Sequence, residues 1–180
     1  MLEYPGDPLR GPSPQASSHQ GGGAFFPAGF LSDCHPMNAA RQVYASCAAR
    51  GGQAVLVIGE PGSGKSDLVL RLLDRGFQLV ADDRVDIVAG YASPPAALAG
   101  LLEVRGIGII RLPYLPRARL ALLVRLSGEA ERLPAPERDP DHNLPVIGIR
   151  PESASAAQRV ALALDCALGR VRQHAGAFAA

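Results

Sequence analysis

The chain has 180 residues, 47% of them hydrophobic and 5% aromatic, with a formal net charge of +1. That length fits one domain with room for a tail, and the apolar content suffices for a packed core. The near-neutral balance gives no electrostatic case for a nucleic-acid or anionic-membrane partner, and no apolar run reaches the roughly 18 residues of a spanning helix.

The N-terminus lacks a basic flank followed by an apolar core, so it is not read as a secretory signal. Cys34, Cys47 and Cys166 form no C-x-x-C pair, and three is an odd number, which fits free thiols in a reducing cytosol better than a disulfide scaffold. The expectation is a soluble cytoplasmic protein.

Residues 1–36 carry six Pro and six Gly around "GPSPQASSHQGGG". Such a segment buries too little apolar surface to offset its ordering entropy and reads as a disordered tail. Its apolar patch, "AFFPAGF" at 24–30, is taken as an incidental cluster, with docking on a partner as the alternative. Met37 is read as the functional start, and the folded domain is expected over 37–175.

From there "QVYASCAA" (42–49) and "QAVLVIG" (53–59) predict two strands joined by "RGG". "KSDLVLRLLDRG" (65–76) predicts a helix with Val69, Leu72 and Leu73 as its apolar stripe and Gly76 as its stop. "FQLVA" (77–81) and "VDIVA" (85–89) read as strands, 90–100 as a loop, and "LLEVRGIGIIRLP" (101–113) as strand-like. Strands follow at 120–126 and 144–149, with a charged, Pro-rich loop between them. A last helix is expected from about Ser155 to Gln173, with Val160, Leu164, Leu168 and Val171 on one stripe. Strands and helices intermix, so the fold class is α/β with a mixed rather than purely parallel sheet.

"GEPGSGKS" fits the phosphate-loop pattern G-x-x-x-x-G-K-[ST], after a predicted strand and opening a predicted helix. The segment comprises Gly59, Glu60, Pro61, Gly62, Ser63, Gly64, Lys65 and Ser66. Its glycines let backbone N–H groups turn toward a phosphate, and the helix points its positive end at the same spot. Lys65 is the only lysine of the chain; the other 17 basic residues are arginine. A compact charge on a flexible stem follows the β- and γ-phosphates of a nucleotide, which arginine's rigid fork does not. Ser66 offers a hydroxyl to Mg²⁺.

The next feature is "ADDRVD" (81–86). A helix of about ten residues runs ~15 Å outward and a five-residue strand returns ~16 Å, so Asp82 and Asp83 emerge beside the phosphate loop. Adjacent strand residues face opposite ways, so the two acids have different tasks. One binds Mg²⁺ directly or through water, and the other accepts a proton from an incoming hydroxyl. His142 and Asp141 in "RDPDHNLP" read as solvated loop residues, because His19, His35 and His174 supply no ligand spacing for zinc.

Taken together, "VLVIGEPGSGKSDLVLRLLDRGFQLVADDRVDI" and "LLEVRGIGII" resemble the catalytic domain of HPr kinase/phosphorylase, in its short bacterial form. The resemblance implies a phosphate-loop kinase domain with a phosphoenolpyruvate-carboxykinase-like fold. It implies ATP- and Mg²⁺-dependent phosphorylation of a serine on the phosphocarrier protein HPr, and reversal by inorganic phosphate. By the same resemblance Lys65 contacts the phosphates, Ser66 and Glu103 ligate Mg²⁺, and Asp82 supports the metal. Asp83 is then the acid–base residue, while Arg105 and Arg132 (in "ERL") act in catalysis. The resemblance also implies a homo-oligomer, a hexamer, for which "RLPYLPRARL" (111–120) offers contacts.

Two positions depart from the family. Tyr44 stands where a histidine is usual, and tyrosine, with a pKa near 10, is a poor proton shuttle at neutral pH. The region "LPVIGIRPESASAA" lacks the "PGRN"-like segment linked to dephosphorylation. A nucleotide-binding regulatory module with little phosphotransfer therefore stands as the alternative. A small-molecule kinase leaves "LLEVRGIGII" unexplained.

Overall fold

A computed structural model describes residues 41–127 and 131–179. The Pro/Gly-rich tail, "AFFPAGF", Met37 and Cys34 lie outside the described residues. The strands are β1 (Arg41–Tyr44), β2 (Ser46–Arg50), β3 (Gln53–Ile58), β4 (Gln78–Ala81), β5 (Arg84–Val88), β6 (Tyr91–Ser93), β7 (Leu101–Val104), β8 (Gly108–Arg111), β9 (Ala118–Leu126) and β10 (Val146–Ile149). The helices are α1 (Lys65–Leu73) and α2 (Ala156–Ala167), with a short 3₁₀ turn at Ala96–Leu98.

One sheet runs β1-β5-β6-β9-β3-β2-β4, with β10 also on β9, and β7 and β8 form a separate hairpin. The β3–β9 and β10–β9 pairs are parallel and the other strand pairs antiparallel, so the sheet is mixed, as the sequence predicts. β1 and β2 are one residue apart in the chain yet lie near opposite ends of that order. The same is true of β4 and β5, joined by Asp82 and Asp83. The sheet therefore curls until its ends approach each other, and both connections cross the seam.

Each side of the curl has its own core. Val55, Val57, Leu122 and Val124 pack under Leu68, Val69 and Leu72 of α1 and Val160 and Leu164 of α2. Ala54, Leu56 and Leu123 face the inside of the curl with Val85, Ile87 and Val146. Because both faces of β3 are buried, its sequence is an unbroken apolar run rather than an alternation.

The single strand expected at 42–49 is broken at Ala45, where the chain leaves β5 for β3 and β4. Helix α1 ends at Leu73, with Gly76 (φ 77°) closing it as the sequence predicts. Phe77 N–H donates to Leu72 O at 3.3 Å and Gly76 N–H to Leu73 O at 3.1 Å, the two bonds of a Schellman motif. The 90–100 loop contains β6, and 101–113 is a hairpin reversing at Gly106 (φ 84°). Helix α2 stops at Ala167, six residues before the expected end. Gly169 (φ 69°) takes the left-handed position there, and Val171, expected on the apolar stripe, is exposed. No described helix is long and apolar enough to cross a membrane.

Candidate active site

β3 delivers the chain into the glycine-rich loop and α1 begins at Lys65. Gly62 and Gly64 take φ of 76° and 91°, the left-handed region that disfavours a side chain. Gly59 is glycine for a different reason: a Cβ there would lie 2.7 Å from Ser63 Oγ and 3.0 Å from Leu126 Cβ. A Gly59→Ala variant should lose about 1–3 kcal/mol of stability by overpacking. Urea unfolding measures that loss, and nucleotide affinity should fall with it as the loop is displaced.

The loop forms one wall of a cleft of about 580 Å³. Pro61, Gly62, Ser63, Gly64, Lys65 and Ser66 line it, joined by Asp83, Glu103 and Arg105 from the seam and the β7–β8 hairpin. Gly59 and Glu60 face Lys65 instead: Nζ donates to Gly59 O at 2.9 Å and to Glu60 O at 3.0 Å.

Asp82 is buried beneath the cleft and Asp83 is exposed on it, the expected division, although both lie in the turn between β4 and β5 rather than on a strand. Which acid faces α1 is decided by a bulge. Cys47 pairs with Ala81 but Ala48 with Leu79, leaving Val80 as an extra residue on β4. Leu79 points to the helix side, so an unbroken strand would put Asp83 there; the extra residue turns Asp82 there instead. Asp82 Oδ1 accepts from Ser66 Oγ at 2.9 Å and from Ser46 Oγ at 2.6 Å, and Oδ2 accepts the Glu103 N–H at 3.3 Å. Asp83 holds φ 65° at the turn, where the Arg84 N–H donates to Asp82 O at 2.8 Å.

The oxygen donors at this corner suit a hard cation. Among the described residues no three His, Cys, Asp or Glu side chains form a metal-holding group. Mg²⁺ needs no such cage, since it keeps several waters and takes one or two carboxylates plus substrate phosphates. Ser66, Glu103 and, through water, Asp82 fit that demand.

Tyr44 and Arg132, also singled out in the sequence, lie away from the cleft lining. Tyr44 is 66% exposed, with its ring under the Arg84 guanidinium at 4.3 Å and its hydroxyl accepting from Arg84 Nη2. Arg132 is exposed on the loop before β10.

Sequence reasoning missed Ser46, Pro151 and Glu152, all of which line the cleft. The last two are held there by Arg71 of α1, whose Nη2 donates to Pro151 O at 2.6 Å and Nη1 to Ser153 O at 3.3 Å. Arg71 also pairs with Asp67 at 2.9 Å. Only that i,i+4 pair has a sequence signal, because backbone carbonyls as acceptors carry none.

His142 is not the solvated residue its loop suggests. Its ring is largely enclosed, and Nδ1 lies 2.8 Å from Asp139 Oδ2. Burial opposes the Asp139 charge, but the hydrogen bonds and charge of His142 outweigh it and hold the carboxyl below its ordinary range. Asp141 pairs with Arg41 at 2.9 Å. Cys47 and Cys166 are free, and burial pushes the Cys47 thiol far up, so it stays protonated and inert.

Comparison with known proteins bears on the family resemblance and the fold. Residues 37–115 match a family model described as "HPr Serine kinase C-terminal domain". The HPr kinase/phosphorylase of Clostridium tetani is 41% identical over 96 residues, 51% of this chain and 32% of that protein. That of Cupriavidus metallidurans is 42% identical over 101 residues, 46% of this chain and 31% of that protein. The matched stretch thus spans about a third of the length of these curated relatives. A solved structure described as the Hpr(Ser) kinase/phosphatase from Coxiella burnetii aligns with a TM-score of 0.57 at 27% identity. It covers 72% of this chain and 92% of its own, so the fold is that of a kinase domain of this type. The chain resembles the catalytic, C-terminal domain of HPr kinase/phosphorylase.

Proposed function

We propose, on the resemblance of this chain to the HPr kinase/phosphorylase catalytic domain, that it is an ATP- and Mg²⁺-dependent serine protein kinase. Its substrate is an HPr-type phosphocarrier protein in the cytoplasm, and inorganic phosphate reverses the modification. What supports the reading most is the convergence of Lys65, Ser66, Asp83, Glu103 and Arg105 on one cleft from three separate segments.

In this reading the backbone N–H groups from Gly62 to Ser66 cradle the phosphates at the positive end of α1. Lys65 leaves its carbonyl contacts to follow the transferring group. Bound Mg²⁺ supplies charge neutralisation to that group. Asp83, exposed on the cleft, takes the proton of the substrate serine as the serine oxygen bonds to the γ-phosphorus and the bond to the departing ADP oxygen breaks. When inorganic phosphate attacks the phosphoserine, Asp83 returns the proton to the departing serine oxygen and pyrophosphate leaves. Arg105, at the hairpin reversal, faces the same space. Tyr44 and Arg132, outside the cleft lining, are assigned no step.

The deciding experiment is transfer of labelled γ-phosphate from ATP–Mg²⁺ to the same organism's HPr. Label on an HPr serine supports the kinase. Intact ATP binding with no label on HPr overturns it.

One observation favours the regulatory module. Tyr44 is solvent-facing and engaged with Arg84, and supplies no acid–base group at its usual histidine position. If that substitution limits the rate, Tyr44→His should raise transfer by about 10²-fold, the lower end of what an acid–base helper contributes. Steady-state kinetics on HPr decide it, and an unchanged kcat means that Tyr44 is tolerated.

A further inference from the structure

We infer that Ser46 is a positioning residue of the metal-binding corner, fixing the Asp82 carboxylate so that Ser66 presents its lone pairs to the cleft. The inference rests on the nucleotide and metal reading above and extends it to a residue with no assigned role.

Ser46 is fully buried, the first residue of a strand whose next three residues, Cys47, Ala48 and Ala49, are small and fully buried. Packing alone asks for nothing polar at this position. Its hydroxyl proton goes to Asp82 Oδ1, 2.6 Å away. The same oxygen accepts from Ser66 Oγ at 2.9 Å, while Oδ2 accepts the Glu103 N–H at 3.3 Å. The three donors come from β2, α1 and β7. With both oxygens engaged, the carboxylate has no free rotation about its Cβ–Cγ bond. Ser66 has one hydroxyl proton, and while Asp82 accepts it the Ser66 lone pairs must point elsewhere. The cleft that Ser66 lines is the open direction.

Register keeps Ser46 in place. It pairs with Val57 of β3, whose side chain lies on the helix side, and the bulge at Val80 brings Asp82 to that same side. Without the Ser46 hydroxyl, Oδ1 keeps only the rotatable Ser66 hydroxyl as a donor, and the long contact from Glu103 N–H is the one remaining fixed restraint on the rotation. The metal ligand then loses its fixed orientation although no atom of Ser66 has been changed. Removing outer partners of this kind typically weakens metal binding about 10–100-fold.

The test uses the full chain and Mn²⁺ as a spectroscopically visible substitute for Mg²⁺. Free Mn²⁺ is followed by electron paramagnetic resonance in the presence of ATP and protein, and ATP binding is measured separately in EDTA. Ser46→Ala should weaken Mn²⁺ retention in the ATP complex by about tenfold or more. Metal-free ATP affinity should stay within about twofold, and Ser46→Thr, which keeps the hydroxyl, should recover most of the loss. Ser46→Cys, nearly isosteric with a weaker donor, should fall between them and decides the matter if the alanine variant fails to fold. Unchanged Mn²⁺ retention in Ser46→Ala or Ser46→Cys overturns the inference, and so does an equal loss of ATP affinity in EDTA, which marks a merely structural role. A wild-type protein that binds no Mn²⁺ with ATP overturns the nucleotide reading as well.

Discussion

Replacing Lys65 with alanine is expected to lower phosphoryl transfer to HPr by about 10²–10³-fold, the cost of removing one preorganised charge from a site of developing negative charge. Lys65 is the first residue of α1, and its ammonium reaches back across the loop to Gly59 O and Glu60 O at 2.9 and 3.0 Å. These are weak anchors for a cation compared with a phosphate, so the group can leave them for a bound nucleotide. The stem spans the loop in one pose and is free to extend in another, a mobility that suits a charge moving from one phosphate to the next. Lys65→Arg should recover little of the loss. The guanidinium is a planar fork on a stem set for a different reach, and the carbonyls that hold the ammonium do not match its geometry. Single-turnover transfer at saturating ATP is the measurement. A Lys65→Ala protein within about fivefold of wild type would remove the lysine from the mechanism.

The same lysine stands out in the sequence because the other cations of the chain are arginine, and a single lysine falls between Gly64 and Ser66 in the phosphate-loop pattern. Local demands of this sort read well. The run "QAVLVI" announces a strand buried on both faces, and Gly76 announces the end of α1. The division of Asp82 and Asp83 between inside and outside is the expected one, but a turn with a left-handed Asp83 produces it rather than strand alternation. What alternation does not contain is its own interruption. Val80 is as apolar as its neighbours, and its displacement from register comes from pairing with β2, a long-range event with no signature at positions 78–81. Yet that one residue decides which acid joins Ser66. The break at Ala45 is invisible for a related reason. Alanine recurs at 48 and 49 inside β2, so Ala45 carries no distinct signal, and only the curl of the sheet requires the chain to change partners there. Arg71 is a third case, since an arginine on a helix reads as a solvated charge until its carbonyl acceptors at 151 and 153 are known.

Asp83→Asn should reduce transfer by about 10²–10⁴-fold while leaving ATP binding within about twofold. The substitution is chosen for its backbone. Asp83 holds φ 65°, which asparagine tolerates about as well as aspartate, whereas alanine would add left-handed strain at the turn that delivers Asp82 to Ser66. Asparagine therefore removes the proton acceptor and little else, and thermal unfolding should change by no more than a few degrees. Among the described residues no side-chain hydrogen bond or ion pair ties the exposed Asp83 carboxylate into the fold, whereas Asp82 is tied to three donors. A large loss of rate would then come from the chemistry rather than from collapse of the site. The reverse reaction sharpens the test. If Asp83 both takes and returns the serine proton, dephosphorylation by inorganic phosphate, a separate reaction that releases pyrophosphate rather than remaking ATP, should also fall by about 10²–10⁴-fold. A protein in which Asp83→Asn keeps transfer within about fivefold has its base elsewhere. The other carboxylates lining the cleft are Asp67, Glu103 and Glu152, and Glu103, whose backbone already touches Asp82, is then the next candidate.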